Sequence, residues 1–364
     1  MQRVAVRILH PQPDEGAGEL TRLLASARTI AGQVLARGFG SAGADDVRIV
    51  TSRRDGQSFG ARLRGTASEL EAGTGLVLLG SGSIPLASAA DLALLVDAAG
   101  SGDRRGLTNN RYSSDVVALG EPGILAGLPD LAADNALPRW LASVAGIAVE
   151  ELPDRARLSM DIDSPLDLEL LRRDPRCPAP LAELARSMAH RLDRAREALD
   201  ALAVLARDPR RELLVSGRLS AAGLRQLEEG TACRVRALIE ERGLRASAPL
   251  PGDTNARRQR APASALGLLL DRDGPSEIGM IVARLADGAM IDTRVLLAHR
   301  LGADEGAWPD AEDRFASDLL LADRVRDTWL QQLTLHAWSH AVPIALGGHS
   351  LVGPGLGAAL GIPA

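Results

Sequence analysis

The chain has 364 residues, of which 46% are hydrophobic and 24% charged, and its formal net charge is -5. This length exceeds the size at which single hydrophobic cores usually stop growing, so it predicts two domains, and the acidic balance argues against nucleic acid or an anionic membrane as the main partner. All 42 basic residues are Arg, because the sequence contains no Lys, which excludes lysine Schiff-base and lysine-phosphate chemistry.

Cysteine usage and the N-terminal residues indicate the compartment. Cys177 and Cys233 are the two cysteines, and they do not form a C-x-x-C motif, which is typical of reduced thiols and not of a disulfide frame or a zinc site. The first residues lack the long apolar stretch of a signal peptide, and no run of 18 apolar residues follows. We therefore expect a cytoplasmic protein with no membrane partner.

Strand and helix patterns alternate in the first half of the chain. Period-two and short apolar runs predict strands at residues 3–9, 46–52, 76–80 and 116–119. Helical spacing of apolar residues predicts helices at residues 16–37, 58–71 and 88–99. This alternation predicts a parallel sheet with helices on both faces, in which ligands bind beyond the carboxyl ends of the strands.

Three polar segments fall at those strand ends. They are Gly80–Leu86 (GSGSIPL), Thr108–Asp115 (TNNRYSSD) and the turn within Leu158–Leu170 (LSMDIDSPLDLEL). Each has a purely structural interpretation, as a turn or as a helix start with Pro165 in the first helical position. Their coincidence at corresponding strand ends favours a ligand site.

The turn in the third segment carries two acids, Asp161 and Asp163. Residues two apart on a strand point to the same face of a sheet, so both carboxylates can reach one site. Carboxylate oxygens are the ligands that Mg²⁺ prefers. The spacing therefore predicts a divalent cation, and the alternative is that the two acids only cap the helix that follows.

Residues from about 58 to 170 resemble the nucleotidyltransferase group with a glycosyltransferase-A-like fold, notably the 2-phospholactate and molybdenum-cofactor guanylyltransferase families. An apolar strand in these families ends in G-D-x-P-L, which Gly82–Leu86 (GSIPL) resembles. A later D-x-D-x-P-x-D-L turn is similar to Asp161–Leu168 (DIDSPLDL). The resemblance implies a three-layer nucleotide-diphospho-sugar-transferase-like domain with a mostly parallel sheet, followed by a second, helix-rich α/β domain.

The activity that the resemblance implies is Mg²⁺-dependent transfer of a nucleoside monophosphate from a nucleoside triphosphate to a small phosphate- or carboxylate-bearing acceptor. Asp161 and Asp163 would hold the metal, and Arg111 would stabilise the negative charge that develops on the phosphates. The residues implied in nucleotide binding come from the two loops: Gly80, Ser81, Gly82, Ser83, Thr108, Asn109, Asn110, Tyr112, Ser113 and Asp115.

The sequence departs from the families at two points. Ser83 stands where they carry a metal-binding acid, and His10–Gly18 (HPQPDEGAG) stands where they carry a phosphate-binding loop with Gly and Arg or Lys. These departures motivate an alternative function that is not enzymatic. In this alternative, the domain binds a nucleotide, a sugar phosphate or a partner protein without turnover.

The second half begins after a break at Asp174–Pro180. A long apolar stripe predicts one helix over residues 180–208, and further strand and helix patterns follow from residue 212. We therefore predict a nucleotidyltransferase-like domain over residues 1–175, a connecting helix over 176–209 and an α/β domain over 210–364. The last domain would cover the first or mediate self-association.

A further alternative places an enzyme site in this second half. Polar residues there follow or interrupt apolar runs, and a strand ending in Gly347-Gly348-His349-Ser350 gives a ligand close access. The candidate residues are Asp292, Arg294, His299, Asp313 and His349. This alternative requires their side chains to converge.

Overall fold

Two β-sheets organise the protein. The computed structural model describes residues 2–52, 57–131, 136–153, 157–241, 250–251 and 260–362, and this part of the chain is α/β, with one six-stranded and one four-stranded sheet. It divides into two compact units. Unit 1 comprises Met1–Gly16, Ala25–Asp161 and Gly243–Gln259, and unit 2 comprises Ala17–Leu24, Ile162–Arg242 and Arg260–Ala364.

The sheet of unit 1 is mixed and mostly parallel, with the strand order β2-β1-β3-β5-β4-β6. Its strands are β1 (Arg3–Pro11), β2 (Asp46–Ser52), β3 (Thr74–Gly80), β4 (Arg105–Thr108), β5 (Val116–Leu119) and β6 (Ala148–Glu151). β5 runs antiparallel to both of its neighbours, and the other pairs are parallel. The four predicted strands are confirmed; β4 and β6 went unpredicted because each has only four residues and no apolar run.

Helices cover both faces of this sheet. They are α1 (Glu19–Ser41), α2 (Phe59–Ser68), α3 (Ala89–Gly100) and α4 (Leu137–Ser143). Val77 and Leu79 of β3 pack in one buried cluster with residues of α1 and α3. Leu76 and Leu78 pack in a second cluster with residues of α2 and α4. The period-two alternation of β3 therefore builds a helix–sheet–helix arrangement.

Unit 2 contains a fully parallel sheet with the strand order β10-β9-β7-β8. Its strands are β7 (Glu212–Gly217), β8 (Arg234–Ile239), β9 (Gly288–Asp292) and β10 (Ile344–Gly347). From β7 the chain places β8 on one side and then β9 and β10 on the other. The order therefore reverses between β7 and β9.

Helices make up most of the rest of unit 2. They are α5 (Pro165–Arg173), α6 (Ala179–Ser187), α7 (Ala189–Leu205), α8 (Ala221–Gly230), α9 (Ala265–Asp273), α10 (Ile278–Leu285), α11 (Thr293–Leu301), α12 (Ala311–Asp318), α13 (Thr328–Ser339), α14 (His349–Val352) and α15 (Leu356–Leu360). Within the described ranges, no helix is both long and apolar enough to cross a membrane.

The prediction of one helix over residues 180–208 is wrong. The chain breaks at Met188, whose φ of -108° and ψ of 13° end α6 and precede α7. Apolar residues on both sides of the break are buried, among them Leu181 and Leu192. The apolar pattern therefore continues through the break, and no Gly or Pro marks it.

The two units divide between Asp161 and Ile162. The boundary predicted at residue 175 lies inside unit 2, because α5 packs there against α6, α12 and α15. Residues 17–24 also belong to unit 2, where the Glu312 carboxylate accepts hydrogen bonds from the Leu20 and Thr21 amides.

Candidate functional site

The carboxyl ends of five strands of unit 1 lie at one edge of its sheet. β1, β2, β3, β4 and β6 share one direction, since β5 runs antiparallel to both β3 and β4. Gly80–Leu86 follows β3, and Thr108–Asp115 joins β4 to β5. Both sequence-predicted loops therefore emerge at this edge, which is where open α/β sheets bind ligands.

The loop after β3 is buried and tightly held. The Ser81 amide donates to the Leu9 carbonyl at 2.9 Å, and the Ser83 amide donates to Gly80 at 3.1 Å. Ile84 has a φ of +43°, a conformation that non-glycine residues rarely adopt. Ser83 also forms an isolated antiparallel bridge with Asp161. This bridge places the backbone of Asp161 beside the loop.

A hydrogen-bonded chain of three side chains adjoins this loop. The Thr29 hydroxyl donates to the Ala25 carbonyl, so it accepts from His10 Nε2, 3.2 Å away. His10 Nδ1 is then unprotonated and accepts from the Ser81 hydroxyl at 2.9 Å. Burial, followed by the charge of Arg28, lowers the pKa of His10 and favours this neutral form. No role was predicted for His10, although it directly follows the strand predicted at residues 3–9.

Side chains of the Thr108–Asp115 loop mainly hold the loop itself. The Asn109 amide group donates to the Asp115 carboxylate and to the Leu158 carbonyl, both at 2.8 Å. Asn110 Oδ1 accepts from the amides of Tyr112 and Ser113. The bond to Leu158 ties this loop to the segment that leads into Asp161.

Three further residues of this loop differ in exposure. Thr108 and Ser114 are buried, and their hydroxyls lie 2.7 Å apart. Tyr112 is 55% exposed. Arg111 donates from its guanidinium to the Val149 carbonyl at 3.3 Å and from its amide to Glu151 at 2.9 Å, so it lies along the end of β6.

Asp161 belongs to unit 1 and Asp163 to unit 2. The Asp163 and Ser164 amides both donate to Asp167 Oδ2, at 2.8 and 2.7 Å, which caps α5. Burial and the neighbouring charge of Asp163 raise the pKa of Asp167 to about 7. Among the described residues, no group of three or more His, Cys, Asp or Glu side chains is arranged to hold a metal ion.

Three of the five second-half candidates lie together in unit 2. Asp292 is the last residue of β9, and its Oδ1 accepts from the Arg294 amide at 3.2 Å. Burial raises the pKa of Asp292, but the charges of Arg218, His349 and Arg294 outweigh burial and lower it. Arg218, which the sequence analysis did not select, is the main partner: its Nε lies 2.6 Å from Asp292 Oδ2.

His299 and Asp313 have other partners. His299 Nε2 lies 2.9 Å from Asp271 Oδ2, and His299 Nδ1 accepts from the Ser264 amide. Asp313 accepts from Arg326 and from the Asp327 amide at 2.8 Å, which holds the segment before α13. The bonds of these two residues therefore serve local structure.

Comparison with known proteins adds no relationship. No family model, no curated protein and no solved structure matches this chain. The chemistry of the side chains and the arrangement of the strands are therefore the basis on which a function can be argued.

Proposed function

We propose that this protein is an Mg²⁺-dependent, cytoplasmic nucleotidyltransferase-like protein with a glycosyltransferase-A-like domain. Its ligand would be a nucleoside triphosphate, and its acceptor a small molecule with a phosphate or carboxylate. The observation that carries the proposal is the backbone bridge between Ser83 and Asp161. It brings together the two segments in which the resemblance was found, although 78 residues separate them in the sequence.

Oxygen groups suit a hard cation, and this edge supplies the Asp161 carboxylate and the hydroxyl of the neighbouring Ser83. The resemblance implies Asp163 as a second carboxylate ligand. Bound Mg²⁺ would neutralise charge on the α-phosphate and on the departing pyrophosphate. The Arg111 guanidinium donates to Val149 and its Nε lies 4.0 Å from a Glu151 oxygen; its remaining N–H donors would add positive charge at the phosphates.

A second candidate function is nucleotide or sugar-phosphate binding without turnover. The observation that favours it is the neutral hydroxyl of Ser83 where the families carry an acid. Ser83→Asp separates the two candidates. If transfer activity depends on Mg²⁺ and appears only in Ser83→Asp, the natural chain is a binding protein; if the natural chain releases pyrophosphate, it is an enzyme.

Isothermal titration of GTP, CTP, ATP and UTP in the presence of Mg²⁺ tests the proposal. We expect at least one nucleotide to bind, and Asp161→Asn to weaken binding by at least about tenfold, or ~1.4 kcal/mol. Asp97→Asn, which changes an exposed acid on α3, is the matched control and should bind normally. The proposal fails if no nucleotide produces heat, or if Asp161→Asn binds as tightly as the natural chain.

A further inference from the structure

The parallel sheet of unit 2 has its own topological switch point, between β7 and β9. Parallel α/β sheets bind ligands outside the carboxyl ends of the strands at such a point. The residues at this position are charged: Arg218 follows β7 directly, and Asp292 ends β9. Their place in the fold is therefore the place where a ligand is expected.

Arg218 is held in a fixed orientation by Asp292. Its Nε and Nη2 donate to the two carboxylate oxygens at 2.6 and 3.1 Å. The Asp292 side chain is fully buried, whereas 25% of the Arg218 side chain is exposed. A guanidinium has five N–H donors, and Asp292 takes two of them. The remaining N–H donors are on Arg218, which is the member of the pair that reaches solvent.

The end of β7 is shaped to allow this pair. Gly217 has a φ of +133°, and a Cβ atom there would lie 2.3 Å from the Asp292 Cβ. Glycine is therefore required at this position for two reasons, its backbone conformation and the close approach of Asp292.

Arg294 also pairs with a buried carboxylate, but only 12% of its side chain is exposed, and its Nη1 also donates to the Thr293 hydroxyl at 2.8 Å. Its Nη1 and Nη2 donate to Asp318, whose side chain is fully buried, at 2.5 and 2.7 Å. Its amide donates to Asp292, which links the two ion pairs. A Cβ atom at Gly348 would lie 3.8 Å from Arg294 Nε, so this arginine lies alongside the loop that follows β10.

Stability alone is a weak reason for this network. Replacing buried ion pairs by apolar residues of similar volume is often neutral or stabilising. By contrast, planar guanidinium groups that buried carboxylates orient match the geometry of phosphates and carboxylates. Arg314 interacts electrostatically with Arg294 and Asp318, and its own ion-pair partner is Glu305, 3.6 Å away.

We propose that unit 2 binds an oxyanion, the phosphate or carboxylate group of a small molecule, at the carboxyl ends of β7 and β9. Arg218 contacts the oxyanion through the donors that Asp292 does not use, and Arg294 contributes from α11. Asp292 and Asp318 are positioning residues. The proposal does not rest on the nucleotide site proposed above, and it requires no bound metal.

Titration calorimetry with inorganic phosphate and, separately, with acetate tests the proposal on the intact chain in EDTA. We expect heat with at least one probe, and the probe that binds more tightly identifies the oxyanion. Arg218→Gln should weaken binding at least tenfold. Arg210→Gln, at an exposed arginine near the start of β7, should bind as the natural chain does. Absence of heat with both probes, or unchanged binding by Arg218→Gln, would overturn the proposal.

Chemical labelling of the natural chain covers the case in which Arg218→Gln does not fold. Phenylglyoxal modifies arginine, and peptide mass spectrometry reports each site separately. Phosphate or acetate should slow the labelling of Arg218 at least severalfold while leaving the labelling of Arg210 unchanged. Equal labelling of Arg218 with and without both probes would contradict the site. Nucleotide binding to unit 1 is a separate measurement, so the two proposals can fail independently.

Discussion

Glu169 of α5 shows how a single charged side chain is accommodated inside unit 2. It is fully buried, yet its carboxylate accepts hydrogen bonds from Arg172, Arg173 and Arg196 at 2.6 to 3.4 Å. Burial raises the pKa of Glu169, and the hydrogen bonds and charges of these arginines outweigh burial and lower it. The carboxylate is therefore ionised at neutral pH and holds three cations around it.

Glu169→Gln should destabilise the protein by about 3 kcal/mol, because it leaves three partly buried arginine groups without their buried counter-charge. Urea unfolding at pH 7 measures this loss. Asp200→Asn is the matched control: it also removes a partner of Arg173, but Asp200 is 63% exposed and should cost less than about 1 kcal/mol. Equal losses in the two variants would contradict the assigned role of burial.

The same residue predicts a dependence on pH. The pKa of Glu169 is lower in the folded chain than its ordinary value of 4.5. Its contribution to stability is therefore fully present above pH 4.5 and is lost as the pH falls through the folded pKa. We expect the acid-induced fall in unfolding free energy to be smaller in Glu169→Gln than in the natural chain. Parallel pH profiles for the two proteins would contradict this linkage.

At the scale of elements, the start of α3 is defined by local chemistry. The Ser88 hydroxyl accepts from the Asp91 amide at 3.3 Å, and the Asp91 carboxylate accepts from the Ser88 amide at 2.7 Å. This reciprocal pair satisfies backbone donors that the first turn leaves without helical partners. Arg157 donates two further bonds to Asp91 and fixes its carboxylate.

Ser88→Ala should cost about 1 kcal/mol of unfolding free energy, because it removes the acceptor for the Asp91 amide. Chemical denaturation followed by circular dichroism measures the change. Ser101→Ala, at the other end of α3, is the control, since the Ser101 hydroxyl is exposed and does not cap the first turn. A loss in Ser101→Ala as large as that in Ser88→Ala would refute the capping argument.

At the scale of the molecule, each unit has its own buried core. Unit 1 buries Leu141 and Trp140 of α4 in a cluster with residues of α2 and of the sheet. Unit 2 buries the central residues of β7 and β9, including Val215 and Met290. Multi-domain chains commonly depart from two-state unfolding, so each core is expected to have its own transition.

Leu141→Ala should lower the stability of unit 1 by about 2–5 kcal/mol, because it removes buried methyl groups and leaves a cavity. Trp140 is the one tryptophan in unit 1, and the other three of the chain's four lie in unit 2. In a background in which Trp140 is the one tryptophan kept, fluorescence reports unfolding of unit 1, and Leu141→Ala should lower the denaturation midpoint. In a background in which Trp140 alone is replaced, fluorescence reports unfolding of unit 2, and Leu141→Ala should leave the midpoint unchanged. A common shift of both midpoints would show that the cores unfold as one.

Local patterns in the sequence determined most of the elements that build the edge of unit 1. Period-two patterns and short apolar runs located β1, β2, β3 and β5, and small polar residues marked the loops that follow strands. These features depend on residues close together in the chain, which is why they could be predicted. The same reasoning missed β4 and β6, whose four residues carry too little pattern.

Only the tertiary structure decided which distant residues meet. The antiparallel direction of β5, the bridge between Ser83 and Asp161, and the pairing of Arg218 with Asp292 all join segments far apart in the sequence. Arg218 and Asp292 are 74 residues apart, and no local sequence pattern predicts that they pair. The sequence by itself determined α/β elements and a set of polar strand ends. The order of the strands decided which of those ends lie next to one another, because sheet order depends on long-range backbone pairing that no local periodicity encodes.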